Sequence, residues 1–150
     1  MILELIPDDD IRLHSKAEMF NPREWPELKA TVDAMFELMN KHDGMGLAAP
    51  QVGIMKRMFI IQIGFGKKYV CINPKVTKAS STTKIKDEGC LSYPEQDYLI
   101  ERPTDIRVSY QDSKGTSVAK KFSGTMARCF LHELDHLNGI VMSDVGKLIT

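Results

Sequence analysis

Residues His132 to His136 read HELDH. Histidines four apart share one face of a helix, so both imidazoles can reach a single cation. The glutamate directly after the first histidine stands where a general base for metal-activated water is found. Two ligands do not complete a catalytic site. A third is required, with one position left open for water or substrate. A third histidine six residues past His136 would satisfy one common zinc pattern, but that residue is Met142. Gly139 is therefore read as a helix C-cap.

Two cysteines compete for the remaining position. Cys129 shares a helical face with His132 but lies seven residues from His136, roughly 10 Å of helical rise. A cysteine side chain cannot bridge that gap, and Cys129 reads as a small buried hydrophobe beside the site. Cys90 stands in EGCLS, after a flexible Gly89 and far from the helix in sequence. Its thiolate can approach a cation from the opposite wall. Cys71, inside an apparent strand, belongs to the core. A third segment, GMGLAAPQVG from Gly44 to Gly53, lets backbone approach a ligand closely, and Gln51 adds a side-chain donor. A tight helix-to-strand turn would use the same small residues, which are too small to build a core.

These groups need elements to hold them. Leu28, Val32, Met35, Phe36 and Met39 recur at three- and four-residue steps, predicting an amphipathic helix from about Asn21 to His42. Pro26 suits its first turn, and Gly44 its left-handed C-cap. From Arg57 to Phe122 the runs RMFIIQI, YVCI, DIRVSY and SVAKKF read as strands, with Gly64, Gly66, Pro74, Pro103 and Gly115 as turns. DEGCLSYP reads as a loop or strand end. The last helix runs from near Thr125 to Gly139, capped by Ser123 or Thr125, with Met126, Cys129, Phe130, Leu134 and Leu137 as its apolar stripe. Helix, strands, helix predicts an α+β domain, and eleven residues after Gly139 leave no room for a long C-terminal helix.

At 150 residues, 43% hydrophobic and 27% charged, the chain suits one soluble globular domain, residues 1–150. Twenty basic residues balance twenty acidic ones, so no bulk field draws in nucleic acid or an anionic membrane. Three widely spaced cysteines make a poor disulfide framework and point to a reducing compartment. The start, MILELIPDDD, lacks the basic region of a signal peptide, and no apolar run approaches the ~20 residues that span a bilayer. A cytoplasmic location is expected.

GMGLAAPQ, EGCLS and HELDH, in that order, resemble the signature of the peptide deformylase family, and IPDDDIRLHS resembles its N-terminal region. The resemblance covers nearly the whole chain. It implies mixed or antiparallel β-sheets packed around a central C-terminal helix that carries HExxH. It implies that Cys90, His132 and His136 bind one divalent metal ion, ferrous iron in the cell, with zinc, nickel or cobalt able to substitute. Glu133 would be the general acid and base, and Gln51 and the Leu91 N–H the oxyanion hole. Gly46 would bind the substrate backbone, while Leu91, Met126 and Cys129 would wall the methionine pocket. Glu88, Ser92 and Asp135 would support the ligands. The implied substrate is an N-formylmethionyl nascent peptide, with the ribosome a candidate partner and the protein a monomer.

Two departures stand out. Asp97 replaces a basic residue common in bacterial relatives, although Arg102 stays basic, which opens the peptide preference beyond the first residue. The short C-terminus resembles phage-encoded or otherwise reduced members. Two other readings remain at this point. A zinc metallopeptidase would take its third ligand elsewhere, and would keep its metal in Cys90→Ala. A non-catalytic binding module would release no formate, although its retention of Glu133 speaks against it.

Overall fold

The computed structural model describes residues 1–149. Its first long helix, α1, spans Leu28–Lys41, seven residues later than the expected start at Asn21. Pro26 is the cause. The residue before a proline is pushed out of helical backbone, and Trp25 is extended at φ −113°, ψ 96°. Upstream lies only a short 3-10 turn, Pro22–Glu24, capped by the Asn21 side chain. The left-handed residue at the far end is Asp43, at φ 55°, and not Gly44. Gly44 serves another end: a Cβ there would lie 2.8 Å from Leu91 Cδ1.

Among the described residues, eight strands follow in two sheets. β1 (Gly46–Ala48), β2 (Met58–Ile61), β3 (Tyr69–Ala79), β6 (Asp105–Gln111) and β7 (Ser117–Ser123) form a sheet in the order β1-β2-β3-β6-β7. β4 (Thr83–Cys90), β5 (Tyr93–Pro103) and β8 (Gly146–Leu148) form a second, in the order β4-β5-β8. Every strand pairing is antiparallel. The architecture is the expected α+β, with antiparallel sheets.

Helix α2 (Gly124–Leu137) carries HELDH and packs on β1, β2, β5, β6 and β7. Its core stripe includes Ala127, Phe130 and Leu137, packed among Phe59, Ile61, Cys71, Ile106, Val108 and Phe122. The Phe59 and Phe130 rings meet edge to face at 5.0 Å. On the other side of the sheet α1 covers Leu47, Met58, Ile60 and Ile72. All four residues of β2 are therefore fully buried, because a strand between two helices has no solvent face.

Several expectations fail locally. Leu47, Ala48 and Ala49 of the small-residue stretch are fully buried and do belong to the core. Pro74, expected in a turn, lies within β3 at an irregularity in its pairing with β6, whereas DEGCLSYP does form a strand end, at the tip of the β4–β5 hairpin. Ser123 occupies the N-cap of α2 but makes no side-chain capping bond. Gly139 does end the helix, at φ 71°, with the Ile140 N–H donating to Asp135 O at 2.9 Å. Arg57 closes that end by donating to Leu137 O and to Asn138 Oδ1, each at 2.9 Å. Among the described residues the helix is followed by the four-residue α3 (Met142–Val145) and β8. Among the described residues no helix is long and apolar enough to cross a membrane.

Candidate metal centre and active site

Strand β4 and helix α2 meet with matching spacings. A two-residue step along a strand covers about 6.6 Å, and a four-residue step along a helix about 6 Å. Glu88 and Cys90 thus face His132 and His136 as two rungs. Glu88 Oε1 lies 2.9 Å from His132 Nδ1, and Cys90 Sγ 3.3 Å from His136 Nε2. A carboxylate cannot donate, so Nδ1 of His132 carries the proton and Nε2 is left for a cation. The ligand atoms of Cys90, His132 and His136 all lie within 4.8 Å of one another. A soft thiolate with two imidazoles suits a first-row divalent metal, so the donor set fits one.

The two imidazoles sit in different electrostatic surroundings. Burial opposes a charge on His132, but the Glu133 carboxylate and hydrogen bonds to Cys90 and Glu88 raise its pKa well above the usual value. Burial, with His132 and Arg102 nearby, holds His136 well below it. Burial also pushes up Glu88, yet hydrogen bonds from His132 and Arg102 outweigh it and hold the carboxyl at about 2. Burial, with the Glu133 and Glu88 carboxylates nearby, takes the Cys129 thiol up to about 12, so it stays protonated beside the site. Cys129 is absent from the cluster, as its seven-residue separation from His136 requires.

Glu88 is the hub of a buried network. Arg102 donates to both its oxygens, at 2.6 and 2.9 Å, and Arg128 donates to Oε2 at 2.6 Å. Arg102 continues to Asp135 at 3.0 Å. Asp135 thus touches an arginine and not a ligand, and Ser92 accepts from Gln51 Nε2 at 2.9 Å rather than supporting an imidazole. Arg128, which the sequence reading missed, is marked by its position one helical turn before His132.

Glu133 is buried, and its pKa is pushed by that burial to about 7. Its Oε1 has no hydrogen-bond partner among the described residues. Gln51, on the 3-10 turn after β1, accepts the Ala48 N–H through Oε1 at 2.9 Å, which turns Nε2 toward Ser92 and Cys90. A cavity of about 500 Å³ joins these groups, with Gly46, Gln51, Cys90, Leu91, Cys129, His132 and Glu133 in its walls. Met126 is not among the lining residues. It packs on the core beside Phe130, while Met45, Thr125 and Arg128 take the wall instead.

The model of the polypeptide deformylase family matches residues 2–148. The chain belongs to that family. Its members are metal-dependent hydrolases that remove N-formyl groups from nascent peptides, and the chain is an enzyme of this kind. The peptide deformylase of Thermotoga neapolitana is 48% identical over 117 residues, 78% of this chain and 71% of its own. That of Wolbachia from Drosophila simulans is 40% identical over 152 residues, 93% and 84% of the two chains. The crystal structure of the Thermotoga maritima enzyme superimposes with a TM-score of 0.92 at 39% identity, over 97% of each chain.

Gly46 offers a direct test of how tightly the site is built. A Cβ there would lie 2.6 Å from Glu133 Oε2, so Gly46→Ala must displace the carboxylate. A misplacement of about 1 Å costs roughly 10²-fold in rate. That loss in kcat/KM is expected with the bound metal retained, read from formate release and metal content.

Proposed function

We propose that residues 1–150 act as a single catalytic domain that deformylates the initiator methionine of nascent peptides, with Cys90, His132 and His136 holding one divalent cation. The mutual approach of those three ligand atoms to within 4.8 Å, with Glu133 beside them, carries the reading. Ferrous iron is the proposed metal in the cell. When bound, such an ion supplies Lewis acidity toward water and toward the formyl oxygen.

The chain's own residues supply the rest. Glu133 takes a proton from the attacking water and returns it to the leaving amine, a role suited to a carboxyl that exchanges near neutral pH. Gln51 Nε2, fixed through Ala48 and Ser92, and the Leu91 N–H face the oxyanion that forms on the formyl group. Formate and a free amino terminus result.

Two unpaired sheet edges supply the peptide groove. β1 ends the five-stranded sheet and β4 ends the three-stranded one, and residues of both line the cavity. An extended peptide between them can pair its backbone with each. The methionine side chain then turns toward α2, against Cys129 and the stem of Arg128. The enzyme acts as a cytosolic monomer, with the ribosome as the source of its substrates.

The test is anaerobic: purified protein loaded with iron, nickel or cobalt should release formate from formyl-Met-Ala-Ser, with one metal per chain. No formate from fully loaded protein would refute the activity.

A further inference from the structure

A second cavity of about 270 Å³ lies beside the first, and Met45, Asp87, Thr125 and Arg128 line both. Lys84 and Lys86 are in its other walls. We infer that these two lysines form a subsite for an acidic side chain at the third residue of the formylated peptide. The inference rests on the proposed course of the peptide along the β4 edge.

Strand register fixes which way the lysines point. Lys84, Lys86 and Glu88 pair with Arg102, Ile100 and Tyr98, all buried. Paired residues share a face, so the three β4 side chains leave on the α2 side. Glu88 stands at the metal end, and Lys86 and Lys84 follow at about 7 Å intervals along the strand. The hairpin turn at Leu91 and Ser92 closes the metal end, so the peptide leaves toward Thr83. In an extended peptide the first and third side chains share a face and the second takes the other. With the first against Cys129, the third lies about 7 Å further on, over Lys86 and Lys84.

The charge offered there is positive. Arg102 is spent on Glu88 and Asp135, and Arg128 on Glu88. Lys84 and Lys86 are exposed and make no ion pair among the described residues. Asp87, the acid on the rim, alternates to the opposite face of β4, toward the second side chain. The N-terminus of α2, at Gly124 and Thr125 in the same wall and without a side-chain cap, adds positive potential.

The test compares kcat/KM at low salt for C-terminally amidated formyl-Met-Ala-Asp-Ala, formyl-Met-Ala-Lys-Ala and formyl-Met-Asp-Ala-Ala on the iron- or nickel-loaded enzyme. Aspartate at the third residue should exceed lysine there by about tenfold, and the ratio should fall toward one in 1 M salt as the pair is screened. Aspartate at the second residue should bring no gain. The third-residue ratio should move close to one in Lys84→Gln/Lys86→Gln and invert in Lys84→Glu/Lys86→Glu. A wild-type ratio near one, or a preference that survives both charge changes, overturns the inference. Formyl-Met-Ala-Ala-Ala separates the two levels: its failure to turn over would remove the activity itself, whereas turnover without charge dependence removes only the subsite.

Discussion

Glu133→Gln is expected to lower kcat/KM for formyl-Met-Ala-Ser by about 10²–10⁴-fold, the range for loss of a positioned general base. Glutamine keeps the shape and hydrogen-bonding reach of the side chain but cannot accept a proton at neutral pH. The three ligand residues are untouched, so metal content should stay at one per chain. Other carboxylates near the cavity make poor substitutes. Glu88, at about 2, is far too weak a base and is committed to His132, Arg102 and Arg128. Asp43 and Asp87 are exposed on the rim. Formate release and metal analysis on the same preparation decide the matter. Residual activity above about a tenth of wild type would place the base elsewhere, since general-base losses start near 10².

The part of this site that sequence makes legible is the part with fixed local spacing. HELDH needs only helical periodicity to bring His132 and His136 together, and the distance along the helix already excludes Cys129. Cys90 is harder, because its approach depends on a long-range pairing of strand and helix. Met126 shows the cost of reading a helix as one apolar stripe. Met126, Phe130, Leu134 and Leu137 follow three- and four-residue steps into the core, while Arg128, His132 and His136 follow the same steps along the cavity side. Met126, two residues before Arg128, is turned by about 200° from it around the helix axis, which puts it with Phe130 on the core side.

Strand β4 was hidden for a physical reason. A half-buried strand is recognised by alternating apolar residues, but the inward positions here are Lys84, Lys86 and Glu88, which face a polar cavity and an ionic network instead of a core. β2 lacks alternation too, since Met58 to Ile61 are buried on both faces, yet its short continuous apolar run, RMFIIQI, still reads as a strand. The apolar periodicity places the start of α1 too early, because Pro26 acts on Trp25 and delays the helix to Leu28. For β4 the deciding fact is what lies against the segment, which a single sequence does not carry; for α1 it is local and stands in the sequence.

The Glu88 network yields the largest expected loss of stability. Glu88→Ala removes the carboxylate shared by Arg102, Arg128 and His132, leaving two guanidiniums with side-chain exposures of only 8% and 13%. Breaking one side of a buried ion pair typically costs about 3–5 kcal/mol, because the remaining charge stays desolvated. Arg102 retains Asp135, and Arg128 retains the carbonyls of Ile100 and Lys84, so the lower end of that range is expected. Urea denaturation of the chelated protein isolates this effect from metal binding. Metal affinity should fall separately, by about 10–100-fold, because His132 loses the acceptor that orients its ring. Pairing Glu88→Ala with Arg102→Met should recover part of the stability, since an apolar side chain has no charge to leave unpaired, but none of the affinity. A loss below about 1 kcal/mol in Glu88→Ala, the scale of a solvent-exposed pair, would mean that water replaces the carboxylate and that the network does not hold α2 to the β4–β5 hairpin.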